Sequence, residues 1–257
     1  MIRFVIPAYN EAENVPRLFA DLGPRARELG ARVIVVDDGS TDGTREAVEA
    51  ARDDLHLAIV THKTNRGLGT ALNSGLRAAL GEASDDDAIV TLEADNTSDL
   101  DDLPRMLALF EQGYDLVLAS VYAPGGELIG VDRWRILASK SVSNTFRTLG
   151  GLRQIHTLSS LYRVYRAGTL RRAAETYGYL LVREPGFAAN VELLLKLYNA
   201  GATVAEVPTV NDWTRRGGQS KMSGNLRPTV LAYFRLMAAH MVGRIQPPPI
   251  SPLAEDE

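Results

Sequence analysis

Residues 33–36 read Val-Ile-Val-Val and run directly into Asp37-Asp38. An unbroken apolar, β-branched run suits a strand buried on both faces, because a half-solvated strand would alternate. Similar short runs recur at 2–6 (ended by Pro7), 57–60, 88–92 and 116–119. Helical stretches separate them: 14–30, expected to break near Gly23-Pro24; a helix capped by Asp42 that ends near Ala51; 68–80; and about 101–111. Strands alternating with helices at this rhythm predict a mostly parallel, doubly wound α/β sheet. Such sheets bind ligands beyond the carboxyl ends of their strands. Three polar clusters fall there: Tyr9-Asn10-Glu11, Asp37-Asp38 and Glu93-Ala94-Asp95.

The second half is less regular. It predicts a helix over 135–149, a strand over 161–165, a helix over 187–200 with Val191, Leu194, Leu195 and Tyr198 on one side, and a strand over 203–207. A last helix, 228–245, places Val230, Phe234, Met237 and Met241 on one face, with Arg227, Arg235 and Arg244 elsewhere. Such a helix packs on its own domain or lies on a membrane surface. The expected organisation is one domain over 1–225 (halves 1–120 and 121–225), an amphipathic C-terminal helix over 226–246 and a disordered tail over 247–257.

Composition excludes several classes. The chain has 257 residues and no cysteine, so disulfides, thiolate metal sites and cysteine nucleophiles are out, and a cytoplasmic setting fits. Net charge is −4, without the basic footprint of a nucleic-acid binder. The first apolar run is cut by Pro7 and Asn10, too short for a signal peptide, and no apolar stretch of about twenty residues suggests a span. Any membrane contact would be peripheral, at the inner face.

A carboxylate just past a strand can accept hydrogen bonds from ribose hydroxyls or a base N–H. A turn with an N-cap explains Asp42 but not the adjacent Asp37-Asp38 pair. Tyr9 can stack on a base or merely pack. Glu93 and Asp95, one residue apart at a strand end, can point the same way and offer hard oxygens suited to Mg²⁺ or Mn²⁺; a solvated acidic loop is the alternative.

Order and spacing add more. Pro7-Ala8-Tyr9-Asn10-Glu11, then Val35-Val36-Asp37-Asp38-Gly39-Ser40-Thr41-Asp42-Gly43-Thr44, then a loop through Arg66 and Gly67, resemble the opening of the inverting GT-A glycosyltransferases of family 2. Within that family the chain is similar to the polyprenyl-phosphate (dolichol-phosphate) mannosyltransferases. The resemblance implies a GT-A fold, with a Rossmann-like, mostly parallel central sheet flanked by helices and a less regular C-terminal acceptor half. It implies a nucleotide-sugar donor, GDP-mannose first, held by Pro7, Ala8, Tyr9, Glu11, Asp37, Asp38, Gly67, Glu93 and Ala94. It also implies a divalent metal on Asp95 and Glu93, and inverting transfer to polyprenyl phosphate.

The chain departs from that pattern in places. Glu93-Ala94-Asp95 stands for Asp-x-Asp, Val121 for an arginine, and Thr157 for an aspartate. Arg135 and Ser139 keep an R-x-x-x-S spacing, which puts both on one helix face as acceptor ligands. Residues 215–223 match R-x-x-G-x-S-K-x-S, making Arg215 and Lys221 candidate catalytic phosphate clamps beside Asp95 and Arg135, with Arg215 also toward the acceptor. A phosphate acceptor needs no protein base. A small-molecule or glycan hydroxyl would need one, from Asp99, Glu127, Asp132, His156 or Glu192. The departures also leave room for a nucleotide-sugar binder without turnover. His56, His62 and His240 read as structural or surface residues.

Overall fold

The computed structural model describes residues 1–52, 55–218, 227–243 and 245. Strands β1 to β9 span Ile2–Ala8, Arg32–Asp37, His56–Thr61, Ala88–Thr91, Leu116–Ser120, Glu127–Ile129, Arg163–Arg166, Val204–Pro208 and Val210–Asp212. Helices α1 to α8 span Val15–Glu28, Thr44–Glu49, Leu68–Leu80, Leu103–Glu111, Arg133–Leu149, Ala167–Tyr177, Ala189–Asn199 and Arg227–Met241. Seven strands form one sheet in the order β3-β2-β1-β4-β7-β5-β8, and β6 pairs with β9 in a small second sheet.

The interior strand β2 has the double burial its sequence predicts. Val33, Ile34, Val35 and Val36 are each at most 1% exposed. Val33 and Val35 join Leu18, Phe19 and Leu22 of α1, whereas Ile34 joins Leu72 and Leu76 of α3. Each such side chain contributes about 1.5–3 kcal/mol relative to solvent exposure. Close packing of α3 depends on Gly75, where a Cβ would lie 2.4 Å from Cγ1 of Val5.

The sheet is parallel except at β7, which runs antiparallel between β4 and β5. The predicted strand at 161–165 therefore exists, but reversed. After β5 the chain stays at the carboxyl edge through β6 and α5, with no crossover to carry it back. It can re-enter the sheet only from that edge.

Three local expectations need correction. Helix α1 runs unbroken through Pro24. Pro24 and Ala20 are both exposed, so the carbonyl left without its amide partner faces water. Helix α7 is buried from Ala189 to Leu197 rather than along one stripe, because α3, α6 and α8 all pack on it. Its Glu192 and Lys196 survive burial as a 2.7 Å pair whose remaining bonds go to backbone. Helix α8 turns Ala232, Leu236 and Met237 inward, while Val230, Phe234 and Met241, expected on its packing face, are exposed. Arg244 and the expected tail at 247–257 lie outside the described residues.

Candidate active site

The parallel register brings the ends of β1, β2 and β4 to one edge, where they open into a cavity of about 670 Å³. Pro7, Ala8, Tyr9 and Glu11 line it from β1, Asp38 from β2, and Gly67 from the start of α3. Glu93, Ala94 and Asp95 line it past β4, and Arg135 and Ser139 from α5. Asp37 does not. Neighbouring strand residues face opposite ways, and Asp37 accepts the Ser40 amide at 2.9 Å.

Asp38 is buried and heavily bonded. It accepts the amides of Arg66 and Gly67 at 3.0 and 2.8 Å and stands 2.6 Å from Nδ1 of His62. A carboxylate oxygen accepts, so Nδ1 donates to Asp38, and Nε2 lies 2.9 Å from the Ser74 hydroxyl. The turn that Asp38 holds needs Gly67: φ is +85°, and a Cβ would lie 2.4 Å from the Pro185 carbonyl oxygen.

Glu93 and Asp95 differ in what they leave free. Glu93 accepts the Leu161 amide at 3.1 Å on Oε1 and the Ser98 hydroxyl at 2.8 Å on Oε2. Asp95 uses Oδ1 for the amide and hydroxyl of Thr97. Its Oδ2 faces the cavity and pairs with Nη2 of Arg216. Burial pulls the Arg216 guanidinium below its ordinary value, and Glu11 and Glu93 push back. The free oxygen of Asp95 thus already meets a cation, and as a hard ligand it fits Mg²⁺ or Mn²⁺. Among the described residues no group of three His, Cys, Asp or Glu is placed to hold a metal ion.

The basic residues divide. Arg215 ends a 3-10 turn over Trp213–Arg215 and is half exposed, 3.8 Å from Asp21, lining another hollow, whereas Arg216 past the turn is extended and lines the cavity. Lys221 lies outside the described residues. Nε of Arg135 is buried without a hydrogen-bond partner, 3.9 Å from Asp132. Nearby, burial pushes the Tyr122 hydroxyl up, and its hydrogen bond to Ser139 opposes this.

None of the five candidate bases lines the cavity. His156 is held by Glu206 at 2.6 Å, Glu192 by Lys196, and Asp99 and Asp132 stand at helix starts. Glu127 is exposed on β6. His240 lies 2.8 Å from the Gly150 carbonyl, and His56 is exposed, as expected of structural or surface positions.

Sequence reasoning missed three contributors: His62 as the orienter of Asp38, Arg216 as the inward basic residue, and Asn14. The Asn14 side chain clips the backbone of Gly217, accepting its amide at 2.7 Å and donating to its carbonyl at 3.1 Å. The Arg215-Arg216 doublet was the only visible signal, and it does not say which arginine faces in.

A mostly parallel sheet with carboxylates gathered at its carboxyl edge defines a GT-A glycosyltransferase. The chain belongs to glycosyl transferase family 2, whose model matches residues 4–173. It is 33% identical over 244 residues to the polyprenol monophosphomannose synthase of Mycolicibacterium smegmatis, covering 94% of this chain and 87% of that protein. It is 33% identical to the undecaprenyl-phosphate mannosyltransferase of Micrococcus luteus, covering 86% and 87%. In fold it is similar to glucosyl-3-phosphoglycerate synthase from Mycobacterium tuberculosis, solved with Mn²⁺, UDP and glucosyl-3-phosphoglycerate. That match has a TM-score of 0.65 and 18% identity, and covers 97% of this chain and 81% of that one.

Proposed function

We propose that the protein transfers a hexose from a nucleoside diphosphate sugar, GDP-mannose first, to a polyprenyl phosphate. The observation that carries this is the acceptor end of the cavity. There α5 and α8 contribute Trp134, Ile136, Val142 and Val230 around Arg135, and the described residues that line this end include neither carboxylate nor histidine. Apolar walls suit a prenyl chain, and the Arg135 guanidinium, 3.9 Å from Asp132 at the rim, suits its phosphate. A hydroxyl acceptor would need a base, which none of the described residues lining this end supplies. The names of the two bacterial relatives, both polyprenyl-phosphate enzymes, favour the same reading.

In this mechanism Tyr9 and its neighbours hold the nucleoside against the wall that Asp38 shapes. Asp95, with Glu93 beside it, would hold Mg²⁺ or Mn²⁺, which when bound offsets charge on the leaving diphosphate. Arg135 orients the acceptor phosphate behind the anomeric carbon. One of its oxygens, already anionic near neutral pH, bonds to that carbon as the bond to the donor phosphate breaks. The nucleoside diphosphate leaves with the electron pair, and the anomeric configuration inverts.

Access to such a lipid requires a membrane surface, and the charge distribution favours one. Residues 1–132 carry 24 Asp/Glu against 11 Lys/Arg, whereas 133–257 carry 8 against 17. Neither α5 nor α8 contains a carboxylate, and Trp134, Leu137, Leu231 and Phe234 are exposed on them beside the cavity. No helix among the described residues is long and apolar enough to cross a membrane. The partner we propose for this face is the headgroup region of an anionic bilayer.

The test is transfer from radiolabelled GDP-mannose, and from UDP-hexoses in parallel, to undecaprenyl phosphate in anionic vesicles. Lipid-linked product supports the reading. Donor hydrolysis without lipid product, or transfer only to soluble hydroxyls, would overturn it.

A further inference from the structure

We infer that Arg216 is an internal counter-cation in the metal seat: it neutralises Asp95 before donor binds, then moves to the donor diphosphate when a divalent ion takes Asp95. This rests on the reading of Asp95 as a metal ligand.

Four observations carry it. Arg216 pairs with Oδ2 of Asp95, the oxygen that Thr97 leaves free. The fields of Glu11 and Glu93 also raise the charge preference of this guanidinium, whose side chain is only 15% exposed. A divalent ion and Arg216 therefore answer the same local charge and exclude one another there. Next, Nε and Nη1 of Arg216 are buried with no hydrogen-bond partner. A fork that leaves two donors unused in a low-dielectric cavity is poorly satisfied where it stands, and diphosphate oxygens would engage it fully. Last, the backbone next to Arg216 is held by uncharged groups alone, so the guanidinium can swing on its own side-chain torsions without breaking an ion pair of the segment. Gly217 and Gly218 follow at once, Gly218 with φ +74°, and the clip from Asn14 grips only neutral backbone.

The outward turn of Arg215 sharpens the assignment. The arginine that fits the spaced motif is not the one in the cavity, and its neighbour occupies the charge-critical position.

Arg216→Met tests this by moving two affinities in opposite directions. Mn²⁺ titrated alone, followed by calorimetry and by the free-ion paramagnetic resonance signal, should bind about tenfold tighter, because no internal cation has to leave. GDP and UDP, titrated at saturating Mn²⁺, should bind several-fold more weakly, because the arm that reaches the diphosphate is gone. Arg216→Lys, which keeps the charge, should hold Mn²⁺ affinity near wild type. A structural role alone would weaken both ligands together, and that result overturns the inference. Equal Mn²⁺ affinity in wild type and Arg216→Met, or Mn²⁺ bound as tightly by Arg216→Lys as by Arg216→Met, also overturns it while leaving the metal reading intact. Absence of Mn²⁺ binding in every variant removes the metal reading and this inference with it.

Discussion

Nδ1 of His62 lies 2.6 Å from Oδ1 of Asp38, and the opposite ring nitrogen lies 2.9 Å from the Ser74 hydroxyl. The imidazole is thus a strut between the end of β2 and helix α3, and it fixes the carboxylate that shapes the nucleotide wall. His62→Leu keeps the bulk and removes both bonds. It should weaken GDP or UDP binding about tenfold, the loss expected for a buried charged hydrogen bond. Calorimetry would read it, and unchanged affinity would contradict the strut.

The two acidic residues past β4 should separate by phenotype. Asp95→Asn should lower Mn²⁺-dependent transfer by about 100-fold or more with little change in melting temperature. Glu93→Gln should cost about 1–3 kcal/mol of stability, since an amide nitrogen cannot accept from Leu161 or Ser98. Paired transfer assays and urea titrations distinguish them. Similar stability losses in both would argue against the division.

Gly67→Ala should destabilise the fold more than Gly178→Ala. Both glycines have φ near +90°, but only at Gly67 would the new Cβ meet backbone, 2.4 Å from the Pro185 carbonyl oxygen. The expected cost is about 2–3 kcal/mol at Gly67 and about 1 at Gly178. Urea midpoints would read the difference.

Acid sensitivity should trace in part to Asp87. Burial pushes its carboxyl up, but the Met1 ammonium, the Ser84 amide and Arg3 outweigh this and bring it to about 2. The folded value is below the unfolded value of about 3.9, so this stabilisation is complete above about pH 4 and is lost as pH falls toward 2. Asp87→Asn should therefore be less stable by about 2 kcal/mol near neutral pH. The gap to wild type should close as pH falls toward 2. A pH-independent gap in chemical denaturation would refute the assignment.

The site was unevenly legible before folding. Asp38 and Asp95 stood out locally as carboxylates at strand ends, whereas Pro7, Tyr9 and Gly67 were implied by the family resemblance; all five line the cavity. Arg216 could not be distinguished from Arg215, since the direction an extended residue faces depends on what its strand or loop packs against. His62 read as structural or surface, and what it supports could not be named because its partner, Asp38, lies 24 positions earlier and meets it through the pairing of β2 with β3.

The sequence by itself determined the layered α/β architecture and the edge where chemistry collects. Unbroken apolar runs can be satisfied only inside a two-faced sheet, and parallel strands put their polar termini together. Tertiary structure alone decided the reversal of β7, the burial of α7 on every side, the outward turn of α8's apolar residues and the cation that meets Asp95. Each of these depends on contacts between segments far apart in the chain, and periodicity within one segment carries no information about which neighbour covers it.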